Sequence, residues 1–106
     1  MSSQQSTVDF IIEQMASAGE ITSRKMFGEH CLYCDGKPVV LVCDDQLFLK
    51  PTNAGRAFLT EVIEKPPYPG AKNYLWISGE HWDDATWLGQ LVKISAAELP
   101  PPKKKK

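Results

Sequence analysis

Between Arg24 and Lys50 the chain alternates apolar runs of strand length with acidic turn signals. Cys31-Leu32-Tyr33-Cys34 is followed by Asp35-Gly36, Val39-Val40-Leu41-Val42-Cys43 by Asp44-Asp45, and Leu47-Phe48-Leu49 closes the stretch. The spacing predicts an antiparallel meander. Asp-Gly suits a type I′ hairpin, in which both central residues need positive φ. Pro38 falls near the start of its strand, where a missing N–H is tolerated. The middle strand is apolar at every position, whereas a sheet with one wet face alternates. Both of its faces are therefore expected to be covered, one by helices and the other by a partner subunit or by a loop folded across it.

The flanking segments predict what packs on this meander. Val8, Ile11, Ile12, Met15 and Ala18 recur at helical spacing, so a first helix is expected from Thr7 to Ala18. Ser6-Thr7-Val8-Asp9 resembles a capping box at its start, and Gly19 a left-handed stop at its end. Phe10 lies off the apolar stripe and either widens the buried face or meets another subunit. Ile21 to Met26 reads as an edge strand with no wholly apolar face, guarded against pairing by Arg24 and Lys25. Gly28 marks a bulge or tight turn. Pro51-Thr52-Asn53 opens a second helix, Ala54 to Ile63, with Ala57, Phe58 and Val62 on one face and Gly55 weakening it. Lys65 to Lys72, with three prolines and a glycine, reads as an extended connector. Tyr74 to Ile77 is a last strand, and Asp83 or Asp84 caps a final helix running to about Ala97. Leu88, Leu91, Val92 and Ser95 form its inner face, with Trp87 beside them. Pro100-Pro101-Pro102 ends regular structure. The order helix, three or four strands, helix, one or two strands, helix predicts a two-layer α+β fold. Its antiparallel sheet has about five strands, with helices mainly on one face.

Several of these pieces recur together in a known pattern. Lys25-Met26-Phe27-Gly28, Leu32-Tyr33-Cys34-Asp35-Gly36 and Leu41-Val42-Cys43-Asp44-Asp45-Gln46-Leu47-Phe48-Leu49-Lys50 resemble the N-terminal domain of the TfoX/Sxy family. The similarity continues through Tyr68-Pro69, Tyr74 to Ser78 and the helix start at Asp83-Asp84, and so spans roughly residues 7–97. Residues 1–6 then form a disordered N-terminus and 98–106 a disordered tail. The resemblance implies a fold related to type III secretion chaperones. It also implies a part in transcriptional control of competence genes alongside the cyclic-AMP receptor protein, through protein contacts more than base readout. Longer family members add a C-terminal domain beyond the stretch matched here.

Composition narrows the function classes. At 106 residues the chain is one domain, 42% hydrophobic and 24% charged, with no apolar run near the ~18 residues that span a bilayer. A cytoplasmic location is expected, since the N-terminus has neither a basic start nor an apolar signal region. The net charge of −1 conceals an asymmetry: without Lys103 to Lys106, eight basic residues face thirteen acidic ones, giving a body of −5 and a tail of +4. An acidic body argues against strong nucleic-acid binding, because affinity for phosphate comes from clustered Lys and Arg. Arg24, Lys25, Lys50, Arg56 and Lys72 form a candidate basic binding patch if the first and fourth strands lie close. Otherwise they are scattered solvated charges.

Candidate chemistry centres on His30-Cys31-x-x-Cys34 with Cys43 nearby, a set that could bind zinc or act as a redox pair. In a strand, however, residues three apart point to opposite faces, so Cys31 and Cys34 should diverge. No helix start is predicted beside them to lower a thiol pKa. Cys31 stands where the family usually has a small residue, often Gly. Cys43 is expected to be buried, and one of Cys31 and Cys34 to face solvent. His30 and His81 sit in no triad pattern, and the acidic pairs Asp44-Asp45 and Asp83-Asp84 already serve as turn and cap. Pro-Pro-Tyr-Pro could be a proline-recognition ligand, but Tyr68-Pro69 also fits the family pattern inside a folded domain. Trp76, Trp82, Trp87, Tyr68 and Tyr74 suit core packing or an interface. The expectation is a non-catalytic interaction domain without cofactor or metal, with a protein partner such as the transcription machinery, self-association and no membrane contact. Weak nucleic-acid binding through the tail and basic patch ranks second, and a metal or thiol enzyme using Cys31, Cys34 and Cys43 third.

Overall fold

The computed structural model describes residues 5–26 and 29–99. The expected turn at Gly28, residues 1–4 of the N-terminus and residues 100–106 of the tail, for both of which disorder is expected, lie outside them. Elements follow in the order α1 (Gln5–Met15), β1 (Ile21–Met26), β2 (Glu29–Cys34), β3 (Lys37–Cys43), β4 (Gln46–Leu49), α2 (Asn53–Phe58), β5 (Glu64–Lys65), β6 (Tyr74–Ile77) and α3 (Ala85–Glu98). The strands form one antiparallel sheet in the order β1-β2-β3-β4-β6-β5, with the helices packed on one face. This is the two-layer α+β fold the pattern predicts, with one strand more than expected.

The meander is built as its turns dictate. Asp35 and Gly36 both have positive φ (52° and 84°), and so do Asp44 and Asp45 (53° and 58°), which matches the primed hairpin geometry. Asp35 does a second job, because its N–H donates to Glu20 O at 2.8 Å while its Oδ1 accepts from Glu20 N at 2.9 Å. That pair ties the first hairpin to the chain leaving α1. Gly19, between them, adopts φ 155°, ψ −160° rather than the expected left-handed helical conformation. A Cβ there would stand 2.8 Å from the Asp35 carboxylate, so only glycine fits.

The all-apolar strand β3 has a register shift that its sequence does not announce. Leu32 pairs with Val40 but Tyr33 pairs with Pro38, which leaves Val39 as an extra residue in a bulge. Val39 and Val40 consequently both enter the core beneath the helices, with Val42, Leu32, Leu47, Leu49, Leu75 and Ile77. The same shift turns Lys37 to the helix side, where its Nζ donates to Ala96 O at 3.0 Å near the end of α3. From α1 come Val8, Ile11 and Met15, and from α3 Leu88, Leu91, Val92 and Ala96.

Three helix readings need correction. Ser6 and Asp9 lie inside α1, which already runs from Gln5, so they do not form its cap; Asp9 instead accepts from Gln5 Nε2 one turn away at 2.9 Å. α1 takes in residues 5 and 6, and α3 takes in Glu98. The second helix stops at Phe58, five residues early, and leaves Ala57 and Val62 exposed. The β-branched run Thr60, Val62, Ile63 is the physical reason: it favours extended backbone, and Ile63 O accepts from Trp76 N at 2.7 Å just before β5. Gly55 also proves a requirement rather than a weakness. Thr52 caps α2 by accepting from Gly55 N at 2.9 Å and donates to the buried Ser95 hydroxyl at 3.4 Å. A Cβ on Gly55 would lie 2.8 Å from Thr52 Oγ1 and 3.0 Å from Ser95 Oγ. Glu98 of α3 completes the junction, its carboxylate accepting from Asn53 N and Ala54 N at 2.8 Å each. At the other end of α3, Asp84 is the cap, its Oδ1 accepting from Trp87 N at 3.0 Å.

Candidate functional site: the helix-free face of the sheet

Strand alternation sends half of the sheet's side chains away from the helices. The register aligns Arg24, Cys31, Leu41, Phe48 and Trp76 in one row across five strands. Glu29, Tyr33, Cys43 and Tyr74 flank that row on the same face. None of these residues belongs to the core beneath the helices. Cys31, Cys43 and Phe48 are nonetheless buried, while Leu41, Tyr33, Tyr74 and Trp76 are half-buried. The second face is therefore apolar in its middle and only partly covered. Pro67 of the connector is buried, so Pro-Pro-Tyr-Pro belongs to the folded domain, although Tyr68 remains 45% exposed.

The sheet separates the thiols of the Cys-x-x-Cys pair. Cys34 faces the helices and donates to Ala18 O at 3.6 Å, whereas Cys31 faces the other way, so the Cys-x-x-Cys pair is split by the sheet. His30 also lies on the helix side; it is buried, and its Nδ1 has no hydrogen-bond partner among the described residues. Among the described residues no group of three or more His, Cys, Asp or Glu converges as a metal site. Contrary to expectation, neither Cys31 nor Cys34 faces solvent: all three cysteines are free thiols and buried. Burial pushes the Cys31 thiol up against the opposing pull of the Tyr33 hydroxyl, Lys50 and Arg24, and burial with the nearby Asp35 raises Cys34. Cys43 is pushed up to about 12, by burial first and then by the Glu29 carboxylate beside it. The Tyr74 hydroxyl is raised by burial first and then by the charges of Cys31 and Tyr68.

The five basic residues named from the sequence do not form one cluster. β2 and β3 stand between β1 and β4. Arg24 and Lys50 nevertheless share the helix-free face, and both act on the Cys31 thiol. Lys25 follows Arg24 and so points to the opposite side, Lys72 sits in the connector, and Arg56 on α2 is ion-paired to Glu64 at 3.2 Å. A cation the sequence reading passed over belongs to the face: Lys65 Nζ lies 4.3 Å from the centroid of the Trp76 ring, whose Nε1 donates to Gln46 Oε1 at 2.8 Å. Its signal was the connector's first residue, assigned to no strand until β5 pairs it with Tyr74. The other two tryptophans pack against the core, Trp82 donating to Ile77 O at 3.2 Å and Trp87 stacking on His81 with ring centroids 4.2 Å apart.

This arrangement meets a match to known proteins. The model of the TfoX N-terminal domain family matches residues 13–99. The chain belongs to that family. An uncharacterized 12.7 kDa protein in the trpE 5′ region of Spirochaeta aurantia is 38% identical over 106 residues, covering all of this chain and 91% of that protein. Among the described residues, no helix of this TfoX-like domain is long and apolar enough to cross a membrane.

Proposed function

We propose that this TfoX-like domain is a non-catalytic cytoplasmic interaction module that takes part in transcriptional control by binding another protein through the helix-free face of its sheet. The observation that carries this reading is the half-buried group Tyr33, Leu41, Tyr74 and Trp76, fixed on a rigid sheet and bordered by Arg24, Lys50 and Lys65. Aromatic and aliphatic anchors with a charged rim are the composition of a protein interface. A second copy of the chain is one such partner and would complete the cover over β3. Competence control alongside the cyclic-AMP receptor protein is the process to which family membership points. The candidate nucleophiles speak against catalysis, because each thiol is buried and held in its protonated form. Affinity capture with tagged wild-type and Leu41→Glu chains tests the reading: partners retained by the first should be lost from the second. Retention of the same partners by Leu41→Glu would refute it.

A specific observation also favours a second reading. Aromatic rings at Tyr33, Tyr74 and Trp76 share this face with Arg24, Lys50 and Lys65, one of which lies over a ring, and rings with cations are what proteins use to hold single-stranded nucleic acid. Deleting Lys103 to Lys106 should then weaken binding and flatten its salt dependence. Weak, unselective binding is expected, and tight sequence-selective binding at physiological salt would reverse the order of the two readings.

A further inference from the structure

The sheet has two edges of unequal length. β5 is two residues long, but β1 is six, and among the described residues it pairs only with β2. Its residues Thr22, Ser23, Arg24 and Lys25 are exposed. β1 thus presents a row of backbone N–H and C=O groups with no strand beside it, which is the template on which extended peptides add. β1 contains no acidic residue, and neither Arg24 nor Lys25 forms an ion pair among the described residues. On the Arg24 side, Thr22, Ser23, Arg24, Tyr33 and Gly36 line an open hollow of about 330 Å³ that can take a side chain from an added strand.

We propose that β1 is a docking edge for an extended segment of a partner protein carrying two consecutive acidic residues, placed opposite Arg24 and Lys25. The two cations are adjacent and point to opposite faces, so residues directly across from them are also adjacent. Opposite charges across an antiparallel pair stabilise it, and like charges oppose it. That rule disfavours a second copy at this edge in the register where two-fold pairing of β1 with itself sets Arg24 against Lys25 twice. Nor can a second copy offer the acidic segment. Its own acidic pairs are held in the Asp44-Asp45 turn and at the Asp84 helix cap. Arg24 and Lys25 therefore act as a selector as well as a guard, disfavouring a like strand and admitting an acidic one.

The inference rests on the reading of the domain as a protein-contact module, but its test needs no cellular partner. The isotopically labelled full chain is titrated with a synthetic peptide, Thr-Val-Asp-Glu-Val-Thr, followed by backbone amide NMR. A control peptide has Lys-Lys in place of Asp-Glu. Shifts should concentrate at Thr22 to Lys25, and the control peptide should bind about tenfold more weakly, as expected for two exposed charge pairs. The doubly reversed variant Arg24→Glu/Lys25→Glu, whose unchanged spectrum elsewhere establishes that it folds, should invert the preference. Equal binding of both peptides, shifts centred away from β1, or a single-stranded oligonucleotide displacing the peptide from β1 would each overturn the proposal. A chain that captures partners through Leu41 yet ignores both peptides would sink this inference alone.

Discussion

The thiols give the sharpest quantitative test of a non-catalytic reading, because the reagent that detects a reactive cysteine attacks only the thiolate. The perturbation is to leave a single cysteine in place, using Cys31→Ala/Cys34→Ala, and to follow modification of Cys43 by an aromatic disulfide at pH 8. A thiol at the ordinary value of 9.0 is about one-tenth ionised there; one pushed up to about 12 is ionised in about one molecule in ten thousand. The folded protein should react about a thousandfold more slowly than the same variant in denaturant, and burial of the sulfur slows it further. Glu29→Gln removes the carboxylate beside the thiol and should recover part of the loss. The same shift fixes a pH dependence. A thiol protonated in the fold but free to ionise when unfolded contributes stability in full below about 9, and that stability is lost as pH rises from there toward 12. Cys31, Cys34, Tyr33 and Tyr74 are raised as well and act in the same direction. Modification of native Cys43 at the denatured rate, with stability unchanged between pH 9 and 11, would show that the face is open and that the thiol argument fails.

Other predictions follow from the packing. Gly55→Ala gains about 1 kcal/mol of helix propensity but forces Thr52 Oγ1 and Ser95 Oγ apart, so thermal unfolding should fall by about 4–8 °C, and a rise would refute the close-approach argument. The two α2 amides hold Glu98 below the usual carboxylate range; the advantage of wild type over Glu98→Gln should be present above pH 4.5 and vanish as acid titrates the folded carboxylate. Leu47→Ala, beneath the helices, should cost about 2–5 kcal/mol in urea unfolding, whereas half-buried Leu41→Ala should cost well under half of that. Light scattering across micromolar concentrations should find masses above 11.8 kDa if a second copy covers the sheet, and a constant 11.8 kDa would exclude it.

Much of this fold is legible from local chemistry. Two acidic turns, three apolar runs and the Asp84 cap each need only neighbouring residues to act, so the meander and α3 lie close to where their patterns place them. What the chain hides is set by residues far apart. Val39 enters the core because of a bulge against Tyr33, and no property of Val39 itself signals that. Gly55 looks like a helix breaker until Ser95, forty residues away, stands against it. β5 exists because Ile63 and Lys65 meet β6 across a connector, a pairing that two residues of β-propensity cannot announce. For the site, strand geometry correctly separates Cys31 from Cys34, but it cannot foresee that Cys31 is buried on the face without helices. The basic residues were legible only as types. Which of them share a face depends on register, and register admits Arg24, Lys50 and Lys65 while turning Lys25 away; Arg56 sits on α2.

The proposed contact between the helix-free face and another protein can be probed directly. A photo-crosslinking amino acid placed at Leu41, with a control at Gln90 on the exposed side of α3, tests it in living cells. Discrete protein adducts are expected from position 41, lost on adding Trp76→Ala and Lys65→Glu, and none from position 90. Adducts from position 90 alone, or nucleic acid in place of protein at position 41, would contradict it.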